Sequence, residues 1–134
     1  MKKDIHPPDV KDIAVAVVKE ENEFEETEWN VYLINFKKEK IEGVLVTSQG
    51  YGMYDGDDVK TSALRHFLDV VEAESFKKIE PVLENLFGLS NEYWVSFFLN
   101  KVMHDKKYIF LPETILETNF VQIPIINKRG VIIK

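Results

Sequence analysis

The sequence predicts a single α+β domain, mainly antiparallel sheet, from three observations. Segments near both ends of the chain alternate apolar with polar residues and are rich in β-branched and aromatic types. Between them, Leu64, Phe67, Leu68 and Val71 recur at the helical period. No linker, repeat or low-complexity tract divides the 134 residues, and a hydrophobic content of 45% can build one core without any cysteine. Residues 1–11 read as a polar N-terminal tail, with Pro7-Pro8 favouring an extended course, and residues 12–134 as the domain.

Asp12 to Lys19 places Ile13, Val15 and Val17 on one face and Ala14, Ala16 and Val18 on the other, the pattern of a central strand. Residues 20–28 hold six carboxylates in nine positions and read as a solvated hairpin loop. Trp29 to Phe36 is a second strand, Lys37 to Lys40 a turn and Ile41 to Thr47 a third strand, so short connections predict a three-stranded meander. Gly50, Gly52 and Gly56, with Asp55, Asp57 and Asp58, interrupt the pattern. A helix is predicted over 58–71: its apolar stripe opposes Arg65, His66, Asp69 and Glu72, and Asp57, Asp58 and Thr61 suit its first turn. Phe76 to Ile79 fits strand or helix, and Pro81 as a starter with Gly88 as a stop predicts a short helix over 81–87. Four strands in hairpins complete the chain. Tyr93 to Leu99 turns near His104-Asp105 into Lys107 to Leu111, and Phe120 to Ile126 and Val131 to Ile133 flank Asn127-Lys128-Arg129-Gly130 as a turn.

Charge and composition narrow the function. The net charge is −6, and fifteen of the seventeen basic residues are lysine. Arginine is the preferred fork for phosphate, so DNA is not expected as a partner and RNA is disfavoured. Met1-Lys2-Lys3 is followed by Asp4, His6, Pro7 and Pro8 rather than an apolar stretch, which predicts no secretory signal. The longest apolar run, Ile13 to Val18, predicts no membrane span. Without cysteine there is no thiol nucleophile, thiolate metal site or disulfide, and a cytoplasmic location is expected.

No motif predicts a catalytic residue, cofactor or metal. The glycines are spaced GxGxxxG, one residue longer than the dinucleotide fingerprint, and the adjacent aspartates would repel a pyrophosphate. A calcium loop starting at Asp55 would place Lys60 where glycine is required and His66 where the bidentate carboxylate is required. Ser48-Gln49-Gly50 is half a nucleophile elbow, with Val46 in the first glycine position. His6, His66 and His104 do not converge by spacing, and His66 with Asp69 supplies only two metal ligands.

The aromatic residues carry the functional expectation. Tyr93, Trp94, Phe97, Phe98, Tyr108 and Phe110 lie on two adjacent predicted strands, with Tyr93 and Phe97 on one face and Trp94 and Phe98 on the other. If the helices cover one face, the other offers an interface, a ligand groove or a stacking platform; a two-layer core would bury both sets. The expected role is a non-catalytic domain acting through a protein partner or through self-association as a homodimer. The alternative is a small-molecule or translation-linked RNA-binding accessory domain using that aromatic face. A third reading, an enzyme with a carboxylate-based site, has no motif to support it.

Through the stretches Lys60-Thr-Ser-Ala-Leu-Arg-His-Phe-Leu68, Asn91-Glu-Tyr-Trp-Val-Ser-Phe97, Asp105-Lys-Lys-Tyr-Ile-Phe-Leu-Pro-Glu113 and Ile125-Ile-Asn-Lys-Arg-Gly-Val131, the chain resembles a small family of uncharacterised bacterial proteins along nearly its whole length. Some members carry the label "phenylalanyl-tRNA synthetase subunit". A class II synthetase core is far longer, and its motifs each place an arginine on ATP or the adenylate; Arg65 and Arg129 lie in no such context. The resemblance therefore implies a compact domain and transfers no functional residue.

Overall fold

Among the described residues, alternating side chains build ten strands and no α-helix. In chain order they are β1 (Ile13–Glu21), β2 (Thr27–Asn35), β3 (Ile41–Tyr54), β4 (Asp57–Lys60), β5 (Leu64–Val71), β6 (Ser75–Pro81), β7 (Ser90–Leu99), β8 (Val102–Phe110), β9 (Val121–Ile123) and β10 (Lys128–Ile133). The computed structural model describes residues 8–134; residues 1–7 of the expected tail, His6 and Pro7 among them, lie outside the described residues. The first sheet has the order β6-β2-β1-β10-β9. In the second, β4 and β5 pair with successive parts of one edge of β3, β7 pairs with its other edge, and β8 pairs with β7. All pairings are antiparallel.

The sheets pack face to face as a sandwich. Ile13, Val15 and Val17 of β1 and Val31 and Leu33 of β2 meet Val44, Val46, Tyr93, Val95, Phe97, Tyr108 and Phe110 of the second sheet. Each large side chain contributes about 1.5–3 kcal/mol by leaving water. The outer side of the first sheet is covered too. Ile123 and Ile126 fold over Ala16, Val18 and Ile34, so β1 is buried on both faces, as its sequence implied.

The predicted α+β class is corrected to all-β. The helix expected over 58–71 is two strands, β4 and β5, and the one expected over 81–87 is the end of β6 followed by a single 3-10 turn, Glu84–Leu86. β5 is an exposed strand, so its solvent side shows no clean alternation, and a left-handed residue at Asp69 (φ 62°) irregularises its pairing. Leu64, Phe67 and Val71 then imitate a helical stripe, while the backbone hydrogen bonds go to β3.

The expected meander and two turns are also corrected. The expected meander does not form, because β1 and β2 pair in the first sheet whereas β3 crosses to the second. The turn placed at His104-Asp105 lies at Asn100-Lys101, where φ values of 50° and 64° with Leu99 facing Val102 make a two-residue type I′ hairpin. The turn placed at 127–130 lies at 124–127, and Lys128 to Gly130 belong to β10. Asp55-Gly56 (φ 53° and 84°) is a second such hairpin, joining β3 to β4.

Fully buried Asn35 clamps two turns. Its Nδ2 donates to the carbonyls of Glu39 (2.9 Å), Glu72 (3.0 Å) and Val71 (3.3 Å), and its Oδ1 accepts the Lys37 N–H (2.9 Å). Asn35→Ala is expected to cost about 2 kcal/mol by orphaning these groups, read from urea unfolding midpoints. A loss under about 0.5 kcal/mol, the scale of an inert surface change, would contradict the clamp.

Candidate functional site

The six aromatic residues singled out by the sequence divide between two environments. Tyr93, Phe97, Tyr108 and Phe110 point inward and are at most 2% exposed, whereas Trp94 and Phe98 point outward and are 44% and 46% exposed. The alternation expected for β7 holds, but the inner face is covered by the first sheet rather than by helices. Tyr108 donates to the Ile13 carbonyl at 2.7 Å, tying the two sheets together. Burial pushes its phenol, and that of Tyr93, well above the ordinary tyrosine range; the Glu80 charge adds to the effect at Tyr93.

The outer face of the second sheet is a ladder of four rows fixed by register. Gln49, Glu92 and Ile109 form one, Arg65, Thr47, Trp94 and Lys107 the next, Phe67, Leu45, Ser96 and Asp105 the third, and Glu42, Phe98 and Met103 the fourth. Trp94 lies between charges, its indole N–H donating to Asp105 (2.9 Å) and the Lys107 ammonium over its ring (4.8 Å). Phe67 and Met103 are exposed beside it. Phe98 rests against Gly43, where a Cβ would lie 3.1 Å from the phenylalanine ring.

A second constellation was not legible in the sequence. Glu80, from β6 of the first sheet, reaches across to three residues of the second. Its Oε1 accepts the Ser48 hydroxyl at 2.6 Å and lies 2.7 Å from His66 Nε2; its Oε2 accepts the Tyr93 hydroxyl at 3.2 Å. The Glu80 side chain is only 13% exposed. A β-bulge in the β2–β6 pairing makes this possible, letting consecutive Ile79 and Glu80 both turn inward where a regular strand would alternate. The carboxylate stands between the serine and the histidine. In a nucleophilic triad the imidazole occupies that middle position, so the cluster does not form a serine relay. His66 meets one carboxylate here, and Asp69 is not among its hydrogen-bond partners.

The remaining candidates do not converge on a site. Gly50 and Gly52 lie within β3, and Asp55, Asp57 and Asp58 stay exposed around the β3–β4 hairpin. His104 stacks on Phe97 (ring centroids 5.2 Å apart). Arg65 lies on the outer face of the second sheet, and Arg129 donates to the Phe120 carbonyl at 3.4 Å. Of the acidic stretch, Glu20 accepts from Tyr32 (2.6 Å), Asn30 (3.0 Å) and Lys128. Burial alone would raise its pKa, but these donors outweigh burial and hold it below the usual carboxylate range. Among the described residues, no group of three or more histidines and acids could hold a metal, and no helix is long and apolar enough to cross a membrane. Comparison with protein-family models, curated proteins and solved structures finds no match to the chain.

Proposed function

We propose that the domain works by self-association, two copies pairing through the outer face of the second sheet. The supporting observation is the self-complementarity of its rows. A two-fold axis lying in the face, between the Trp94 and Ser96 rows, would set Lys107 opposite the partner's Asp105 and Arg65 opposite the partner's Phe67. The flanking rows would then bring Ile109 onto the partner's Met103. Each copy contributes both halves of every pair, as an isologous contact requires, within the roughly 30° twist of aligned sheets. Arg65 and Lys107 offset two of the three carboxylates in these rows, Glu42, Glu92 and Asp105, which leaves the face with a net charge of −1 while the whole chain carries −6. Two acidic molecules therefore approach here with little repulsion. RNA stacking is the weaker reading, since those carboxylates share the platform.

Sedimentation equilibrium tests this. The wild-type chain is expected to dimerise, and Lys107→Glu, which faces Glu with Asp105, to weaken the dimer at least tenfold. The double exchange Asp105→Lys with Lys107→Asp should restore it. A wild-type monomer at tens of micromolar, or a Lys107→Glu variant as dimeric as wild type, would defeat the proposal.

A further inference from the structure

The Glu80 cluster floors a cavity of about 230 Å³ between the sheets, bounded by β3, β6, β7 and the link between β4 and β5. That is below the ~300–1,000 Å³ of pockets for drug-sized ligands, so any occupant is small. Its chemistry follows from counting donors and acceptors. The Ser48 and Tyr93 hydroxyl hydrogens are spent on Glu80. Both Asn91 amide hydrogens are spent on the Leu86 (3.0 Å) and Leu89 (3.1 Å) carbonyls. The Thr61 hydroxyl donates to the Ser62 carbonyl at 3.2 Å. Apart from the Ser62 hydroxyl, what remains on these side chains is lone pairs: one of four carboxylate positions on Glu80 once Ser48, Tyr93 and His66 are counted, the oxygens of Ser48 and Tyr93, and the Asn91 Oδ1. Asn91 is 6% exposed, lines the cavity, and its Oδ1 has no hydrogen-bond partner among the described residues. Leu64, Val82 and Leu86 supply the apolar part of the wall.

A nearly closed carboxylate with unfilled acceptors beside aliphatic walls is complementary to a cation that carries several donors on a short hydrocarbon stem. We propose that this cavity binds a primary alkylammonium group, the ammonium against Glu80 and Asn91 and the stem against Leu64 and Leu86. It is separate from the dimer face, because Ser48, Glu80 and Tyr93 point into the sandwich while Trp94 and Phe98 point away from it.

The test is titration of the full chain with n-butylammonium chloride, followed by the backbone amide resonances of Gly50, Glu80 and Asn91. Saturable shifts at millimolar concentration are expected, with 1-butanol, matched in length but neutral, binding at least tenfold more weakly. Glu80→Gln should weaken butylammonium at least tenfold. Gly50→Ala keeps the charge and places a methyl 3.2 Å from Thr61 Cγ2 and 3.6 Å from Asn91 Oδ1, so it should also weaken binding in a chain that still folds. Parallel titration with Nα-acetyl-lysine amide separates the two sources of the group. Binding of butylammonium alone assigns a free amine, and binding of both admits a lysine side chain. Absence of saturation, equal affinity for 1-butanol, or a folded Gly50→Ala chain binding as wild type would overturn the proposal.

Discussion

Replacing Gly130 by alanine is expected to lower the unfolding free energy by about 3 kcal/mol, the upper end for forcing extra volume into a packed interior. Gly130 sits in β10 directly opposite Val18 of β1. A Cβ there would lie 2.2 Å from the Val17 carbonyl oxygen and 3.1 Å from the Val18 Cα. The obstacle is backbone, which cannot swing aside as a side chain can. Relief requires β10 to separate from β1, opening the pairing that closes the centre of the first sheet and loosening Ile123 and Ile126 over Ala16 and Val18. For a chain of this size the melting temperature should fall by roughly 10 °C. Gly88→Ala is the control, because its nearest neighbour would be Glu113 Oε1 at an ordinary 3.5 Å, and it should change stability by less than about 0.5 kcal/mol. Equal stability of the two variants in urea unfolding would refute the close approach of β10 to β1.

The second large effect is alkaline. Burial holds the Tyr93 and Tyr108 phenols above the ordinary tyrosine value of about 10 in the folded chain, with the Glu80 carboxylate adding to the effect at Tyr93. Unfolding releases both side chains to water, where they ionise near their ordinary value. Because the folded pKa is the higher, the unfolded chain loses protons first as pH rises past 10. Stability is intact below that pH and falls above it by about 1.4 kcal/mol per pH unit for each tyrosine, or about 2.7 for the pair. Urea midpoints between pH 9 and 11.5, with tyrosinate absorbance recorded alongside, provide the measurement. The two phenols should ionise together with unfolding rather than before it, and Tyr108→Phe should remove about half of their contribution to the slope. Tyrosinate absorbance that rises fully while the sheets remain intact would contradict the buried positions of both rings.

Local side-chain order reveals the strands that lie in the interior of their sheets, β1 between β2 and β10 and β7 between β3 and β8. The doubly apolar run Ile13 to Val18 and the aromatic alternation of Tyr93 to Phe98 depend only on the two-residue period of extended backbone, which the side-chain order reveals directly. The edge regions were illegible for the opposite reason. β5 has a half-wetted face and a left-handed Asp69, so Leu64, Phe67 and Val71 carry two periods at once, and pairing with β3 decides between them. The hairpins at Asp55-Gly56 and Asn100-Lys101 differ in legibility. Asp-Gly is a turn signal that the surrounding glycines and aspartates obscured, whereas Asn-Lys is not one of the preferred turn pairs, and its left-handed backbone follows from Leu99 meeting Val102.

Alternation is a property of neighbouring residues, so the order of side chains alone sets the strands at Ile13 to Val18 and Tyr93 to Leu99, with Trp94 and Phe98 opposite in sense to Tyr93 and Phe97. Long-range pairing then sends β3 away from its predecessors into a second sheet, lays the first sheet rather than helices over the inner aromatics of the second, and brings Ser48, His66, Glu80 and Tyr93 together. Those four residues stand on four different strands. Their meeting depends on pairing register and on one bulge beside Ile79, and neither leaves a mark in local spacing.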